Sequence, residues 1–222
     1  MTATAFVLDN TRPLTVAEAP DITLYLADEI TPLWEVTDSA LTEGGVAPPY
    51  WAFAWPGSRA FALLLRDDPA IVAGKRVLDV ASGCGLAALV AARAGAAAVS
   101  ANDIDPHALT AIRLAAELNG LVVNLLEGDL TDWPPERVTA EVVLIGDVCY
   151  EFDTANRFKD WLKALARLGK AVYLADPSRK FGPVADGSAS GFEPVVTYSL
   201  ETSLDLETTV VKQTTIWRAC RD

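Results

Sequence analysis

The chain is short of the residues that several chemistries require. Of its 222 residues only His107 is a histidine, so a His-dependent triad or a His-rich metal site is excluded unless built on that residue. Cys84, Cys149 and Cys220 show no metal-ligand spacing, and three cysteines give no disulfide framework. No metal is expected, and unpaired thiols point to a reducing compartment. Lysine and arginine number 18 against 30 acidic residues, a net charge of −12. So acidic a chain is poorly made to grip a phosphate backbone, which needs clustered cations, and no nucleic-acid partner is expected. It suits a basic or lysine-bearing partner, or it carries a solvated acidic surface with no partner. No apolar run is long enough to span a bilayer, since the alanine-rich stretch is broken by Arg93. The first residues, Met1 to Phe6, lack the basic start and apolar run of a secretory leader. These absences predict a soluble, cytoplasmic protein with no membrane contact.

Hydrophobic residues make up 51% of the sequence, enough for one globular domain with a real core and a small appendage. No internal repeat is visible. The first twenty residues carry little pattern, although a helix is expected around Thr15–Ala19, stopped by Pro20. Ile22–Leu26 and Leu33–Val36 read as short strands that pair as a hairpin, followed by a loop at Gly44-Gly45 and Pro48-Pro49. Tyr50, Trp51, Phe53 and Trp55 then crowd into six positions. They are either a staple between the N-terminal segment and the main domain or the wall of a pocket for adenine or a cation. Residues 1–57 are accordingly assigned to an N-terminal extension and residues 58–222 to the main domain, which opens on a helix over 58–65.

From Gly74 onward strands and helices alternate. Strands are predicted at 76–81, 97–102, 121–126, 141–146 and 171–175, and helices at 86–94, 106–119 and 154–167. That alternation predicts an α/β fold with a parallel sheet covered on both faces. Residues 194–200 and 208–220 alternate polar and apolar side chains and read as an antiparallel pair on the sheet edge.

The first strand of this series runs into Ala81-Ser82-Gly83-Cys84-Gly85 and then a run of helix formers. Gly83 and Gly85 permit a tight turn and a close backbone approach, and the free N–H groups at the helix start receive an oxygen-rich ligand. Asp103 lies 20 residues beyond Gly83, where a carboxylate accepts the two hydroxyls of an adenosine ribose. Two ligands fit these residues: a nicotinamide dinucleotide, held in an oxidoreductase, and S-adenosylmethionine.

Asp79 lies four residues before Gly83, and the D-x-x-S-G-x-G order resembles the first motif of the seven-strand S-adenosylmethionine-dependent methyltransferases. Here the first family glycine is Ala81. The Asn102-Asp103-Ile104-Asp105-Pro106 run, the Glu127-Gly128-Asp129-Leu130 run and the C-terminal antiparallel pair match the same family. Gly146-Asp147-Val148-Cys149-Tyr150 fits the D-x-x-Y pattern of its protein lysine methyltransferases. Together with Pro48-Pro49-Tyr50-Trp51-Ala52-Phe53-Ala54-Trp55-Pro56-Gly57, the chain looks most similar to the lysine methyltransferases of the electron transfer flavoprotein β subunit, over about residues 20–220. The resemblance implies a Rossmann-like seven-strand sheet, mostly parallel with an antiparallel C-terminal strand, preceded by a small β/α extension. It implies S-adenosylmethionine as cofactor and a protein lysine as acceptor; a ribosomal protein or a small amine would be alternatives.

Carried over residue by residue, Trp55, Asp79, Ser82, Gly83, Gly85, Asp103, Ile104, Asp129 and Leu130 would hold the cofactor. Asp79 would take its methionine end and Asp129 the adenine amino group. Asp147 and Tyr150 would be catalytic, and Trp51 and Tyr150 would line the substrate channel. His107 is expected exposed at a helix start, Cys84 a small filler, and Cys149 without a base. Asp176-Pro177-Ser178-Arg179-Lys180 falls on the same sheet edge as the cofactor and either closes the channel or is only a polar turn.

Overall fold

Residues 2–28, 48–184, 191–204, 207 and 209–221 are described by a computed structural model. In chain order its elements are α1 (Ala3–Asn10), β1 (Arg12–Val16), β2 (Ala19–Leu26), α2 (Pro56–Asp67), β3 (Arg76–Val80), α3 (Leu86–Arg93), β4 (Ala98–Asp103) and α4 (Pro106–Asn119). There follow β5 (Asn124–Glu127), β6 (Val142–Gly146), α5 (Phe152–Arg167), β7 (Ala171–Asp176), β8 (Phe192–Glu201) and β9 (Val211–Ala219).

The main sheet has the order β5-β4-β3-β6-β7-β9-β8. The first five strands of that order run parallel, while β9 is antiparallel to both β7 and β8. The chain leaves β3 toward β4 and β5 and then returns to β6 on β3's other side. The carboxyl ends of β3 and β6 therefore flank the point where the winding reverses, which is where such sheets bind ligands.

Alternation along each strand divides the core. Val142 and Leu144 join the cluster that takes in α2, α3 and α4, and Val143 and Ile145 join the one built on α5. Strands buried on both faces read as continuous apolar runs, which is why β3 and β6 were legible in the sequence.

The N-terminal region differs from its sequence reading. Thr15–Ala19 is no helix; it forms the end of β1, a turn and the start of β2. A five-residue helix has too few hydrogen bonds to offset its nucleation cost, whereas the strands pair directly, Leu14 opposite Leu24. The expected hairpin partner Leu33–Val36 and the loop at Gly44-Gly45 lie outside the described residues; within them β2 pairs with β1. The unforeseen α1 starts at Thr2, whose hydroxyl accepts the Ala5 N–H at 3.2 Å.

This extension is bonded into the rest. Thr23 N–H donates to Asn119 Oδ1 (2.9 Å), and Asn119 Nδ2 donates back to the Thr23 carbonyl (2.6 Å). Arg59 forks onto Glu18 (2.9 and 2.6 Å) and also reaches the Glu201 carbonyl at 2.7 Å. Ile22, Leu24 and Leu26 are buried in the same cluster as α2 and α3. Residue 57, where the sequence suggests a division, lies in the first turn of α2.

β5 starts three residues later than expected. The end of α4 uses Gly120 (φ 65°) and bonds Leu121 N–H to the Ala116 carbonyl at 2.9 Å, so Leu121 closes the helix instead of opening the strand. At the far edge, β8 carries a bulge between Pro194 and Val196, leaving Val195 without a partner in β9.

Candidate active site

The turn after β3 is bent by backbone in the left-handed region at Ala81 (φ 51°), Gly83 (φ 55°) and Gly85 (φ 81°). A Cβ on Gly85 would stand 2.7 Å from Ile112 Cγ1, so that glycine also lets α4 approach the turn. Asp79 is buried beside it. Its carboxylate accepts the Ser82 hydroxyl and the Ala88 N–H (3.1 Å) at the start of α3. Burial pushes this carboxyl up to about 7, and neighbouring Asp103 adds to the rise, against the two hydrogen bonds. Among the described residues no cation pairs with it.

Asp103 ends β4 and faces the same turn. Its Oδ2 accepts the Gly83 N–H (2.9 Å) and its Oδ1 the Asp105 N–H (3.0 Å). The Ile104 N–H also acts on it, and a carboxylate with about four lone-pair positions still has acceptor capacity for a diol. Asn102, not foreseen from sequence, is buried and ties β4 to β5's end through the Leu126 and Gly128 carbonyls (2.9 and 2.8 Å). Asp129 is already engaged: Oδ1 accepts Thr131 N–H (2.9 Å) and Oγ1 (2.7 Å), and Arg157 lies 3.2 Å from Oδ2. Leu130 is buried below it, while Ile104 stands 67% exposed.

Asp147 sits directly after β6 with φ 58°. Its Oδ2 accepts the Gly57 N–H at 2.5 Å, placing the carboxylate on the N-terminus of α2, where helix N–H groups favour negative charge. Gly57 has no substitute there, since a Cβ would come 2.5 Å from Oδ2 and 3.0 Å from the Asp147 nitrogen. Its Oδ1 receives Arg179 Nη2 at 2.8 Å. Burial raises the Asp147 carboxyl, and the Arg179 guanidinium draws it down. Thus the Asp176–Lys180 segment is more than a turn: Arg179 reaches from it into the site. Asp176 accepts the Arg179 N–H (3.1 Å) and is pushed by burial, with Asp147 close by, to about 7. The partners of Arg179 lie 28 to 32 positions away, and nothing local in the sequence marks them.

A narrow cavity of about 40 Å³ joins these parts. Trp55, Asp79, Ser82, Gly83, Gly146 and Asp147 all line it. It brings together the turn expected to bind a cofactor and the carboxylate expected to meet the acceptor. Not every expected residue joins them. Trp51 is buried among Val7, Ala52, Phe53 and Ala108, with its ring stacked on His107 (6.1 Å) and tilted against Phe6 (6.5 Å). It serves the staple between α1 and α4 and is not part of the cavity lining. His107 is accordingly half-buried, not exposed, and bonds to Asp105 at 3.0 Å. Tyr150 stands half exposed beside Tyr50 (5.8 Å), outside that lining. Trp55 donates Nε1–H to the Tyr50 carbonyl at 2.7 Å. Cys84 and Cys149 are buried, with thiols pushed up to about 12 by desolvation, so neither is a ready nucleophile.

Among known proteins, the family model for a methyltransferase domain matches residues 77–171. The electron transfer flavoprotein β subunit lysine methyltransferase of Xenopus laevis is 34% identical over 223 residues, covering 96% of this chain and 85% of that protein. The chain belongs to this family of lysine methyltransferases. The human member is 37% identical over 178 residues, 76% of this chain and 64% of its own length. In three dimensions the fold is shared with the T. thermophilus 16S rRNA N2 G1207 methyltransferase, solved with AdoMet and guanosine. Its TM-score is 0.58 at 17% identity, over 96% of this chain and 50% of that one. Family membership makes the chain a methyltransferase and removes the nicotinamide alternative. The site agrees: a buried carboxylate without a cation and a turn opened by left-handed backbone fit a ligand bearing a positive charge and a ribose.

Proposed function

We propose that the protein transfers a methyl group from S-adenosylmethionine to a lysine of the electron transfer flavoprotein β subunit. The observation that carries this reading is the single cavity lined by Asp79, Ser82 and Gly83 on one side and Asp147 and Trp55 on the other. The acceptor is the one for which its Xenopus laevis and human relatives are named. The three unpaired cysteines favour a reducing, cytoplasmic setting.

In this reading Asp79, with Ser82, holds the methionine end of the donor, and Gly83 and Gly85 leave room for its backbone approach. Asp103 takes the ribose hydroxyls. Ile104, Asp129 and Leu130 surround the adenine. The bound donor supplies a methyl carbon activated by a positively charged sulfur. The work left to the chain is positioning, desolvation and charge placement.

The acceptor lysine must arrive neutral. With a free pKa near ~10.4, deprotonation at pH 7 costs about 4–5 kcal/mol, which burial beside a cation reduces. Asp147 accepts a hydrogen bond from the ε-amine and so aims its lone pair at the methyl carbon. Trp55, which lines the cavity, flanks the nitrogen as it becomes positive. The methylated product stays cationic, so the same wall tolerates further methyl groups.

Incubation with labelled S-adenosylmethionine and purified electron transfer flavoprotein, followed by peptide mass spectrometry, tests the acceptor. A lysine of the β subunit should gain methyl groups; label on some other protein or none at all would refute the assignment. In the Asp147→Asn variant, donor affinity should be nearly unchanged while turnover falls roughly 10²- to 10⁴-fold.

A further inference from the structure

The reading above needs Asp147 ionised. A protonated carboxyl turns one of its acceptor oxygens into a donor and loses its hold on an amine N–H. Burial works against ionisation here. Two groups oppose it by direct contact: the Gly57 N–H at Oδ2 (2.5 Å) and Arg179 Nη2 at Oδ1 (2.8 Å).

Arg179 is itself clamped. Its Nη1 and Nη2 donate to Glu207 Oε2 (3.1 Å) and Oε1 (2.6 Å). The Glu207 side chain is 4% exposed, and Lys212 Nζ lies 3.2 Å from it. The guanidinium carbon also stands 5.9 Å from the centre of the Trp55 ring, a wall of the cavity. An exposed ion pair would be loose and screened, but this one is mostly shielded, with Arg179 19% and Asp147 12% exposed, and fixed from several sides. One nitrogen, Nη2, bridges both carboxylates, a task suited to a planar fork with five donors.

We propose that Arg179 is a positioning residue for methyl transfer: clamped by Glu207, it keeps the Asp147 carboxylate ionised and aimed at the acceptor amine. The inference rests on the role given to Asp147 above. Its charge acts on both partners. It favours the anion at Asp147, and its own positive charge disfavours a second cation nearby, which offsets the hold of that anion on the amine's proton. The other groups acting on Asp147 are Asp176 from the end of β7, Glu207 from the segment before β9, and Cys149 from its own turn. Asp79 lines the far side of the same cavity. Two further cations stand one group away, Lys212 at 3.2 Å from Glu207 and Lys159 acting on Cys149, but among the described residues Arg179 is the cation that bonds to Asp147.

The experiment uses the full chain and needs no acceptor for its first arm. Carboxyl carbons of ¹³C-labelled aspartate are titrated by NMR, and Asp147 is assigned by the signal lost in Asp147→Asn. Arg179→Gln should raise the Asp147 midpoint by about one to three pH units. The acid limb of kcat/KM should move with it. A folded Arg179→Gln protein whose Asp147 midpoint is unmoved overturns the proposal. Should that variant fail to fold, Arg179→Lys decides. It keeps the charge but loses the fork, so kcat should drop about tenfold at unchanged KM. Lysine serving as well as arginine would also overturn it. An unmethylated acceptor with the parent protein would instead refute the proposed function, and the carboxyl titration separates the two failures.

Discussion

Ala81 holds a backbone angle that L-residues avoid, φ 51°. It occupies the position where the family motif carries its first glycine, so the turn keeps the glycine geometry without the glycine. Ala81→Gly should relieve that conflict and stabilise the protein by about 1 kcal/mol, less the added freedom of the unfolded chain. Chemical denaturation measures it; a destabilised variant would show that the alanine methyl packs well enough to outweigh the angle. Asp79 presents a different conflict. Its folded carboxyl is raised from 3.8 to about 7, so the folded state holds a proton that the unfolded chain releases. Stability from this group is full below about pH 4 and is lost as pH rises toward and through 7. A cationic ligand at Asp79 would restore the anion, and donor binding should therefore release up to about one proton near neutrality. Calorimetry in buffers of different ionisation enthalpy would detect the release, and in Asp79→Asn it should vanish.

At the scale of elements, the contact between α2's first turn and β6's end carries the acceptor side of the site. Gly57→Ala would drive a methyl against Asp147 Oδ2 (2.5 Å) and against backbone at 3.0 Å. A loss of about 1–3 kcal/mol in stability is expected, together with a fall in kcat, because the displaced group is Asp147 itself. Gly95→Ala is the control: its φ is 86° but nothing lies within 4 Å, so stability should fall by about 1 kcal/mol with turnover unchanged. Equal kinetic effects from the two would mean that the α2–β6 contact is not special. The same elements show what a sequence discloses. β3, β6 and β7 were readable because both their faces are buried and each is followed by turn residues. The tips carrying Asp79 and Asp147 came with them. The pairing of β1 with β2 was not readable, since a hairpin depends on partners across a turn and Arg12–Val16 has no strong alternation. Nor was the Arg179–Asp147–Glu207 chain, because ion pairing at long separation leaves no local trace. Trp51 and Trp55, four residues apart, look alike in sequence, yet one packs under α1 and the other lines the cavity. Only the path of the chain through the 50–55 turn distinguishes them.

For the molecule as a whole, the extension and the sheet share one core. Ile22 is fully buried in the cluster that also holds Phe61, Leu86 and Ile112. Ile22→Ala should cost about 2–5 kcal/mol and lower the midpoint of a single unfolding transition seen alike by far-ultraviolet dichroism and tryptophan fluorescence. Two separate transitions would mean that the hairpin folds as an independent unit. The last strand of the sheet has a consequence of another kind. An outermost strand bares a ladder of amides and carbonyls that invites a neighbour's chain to zip on. In β8 that ladder loses a donor at Pro194 and its regular spacing at Val195. The kinked rung makes that border a poorer template for a second copy's strand.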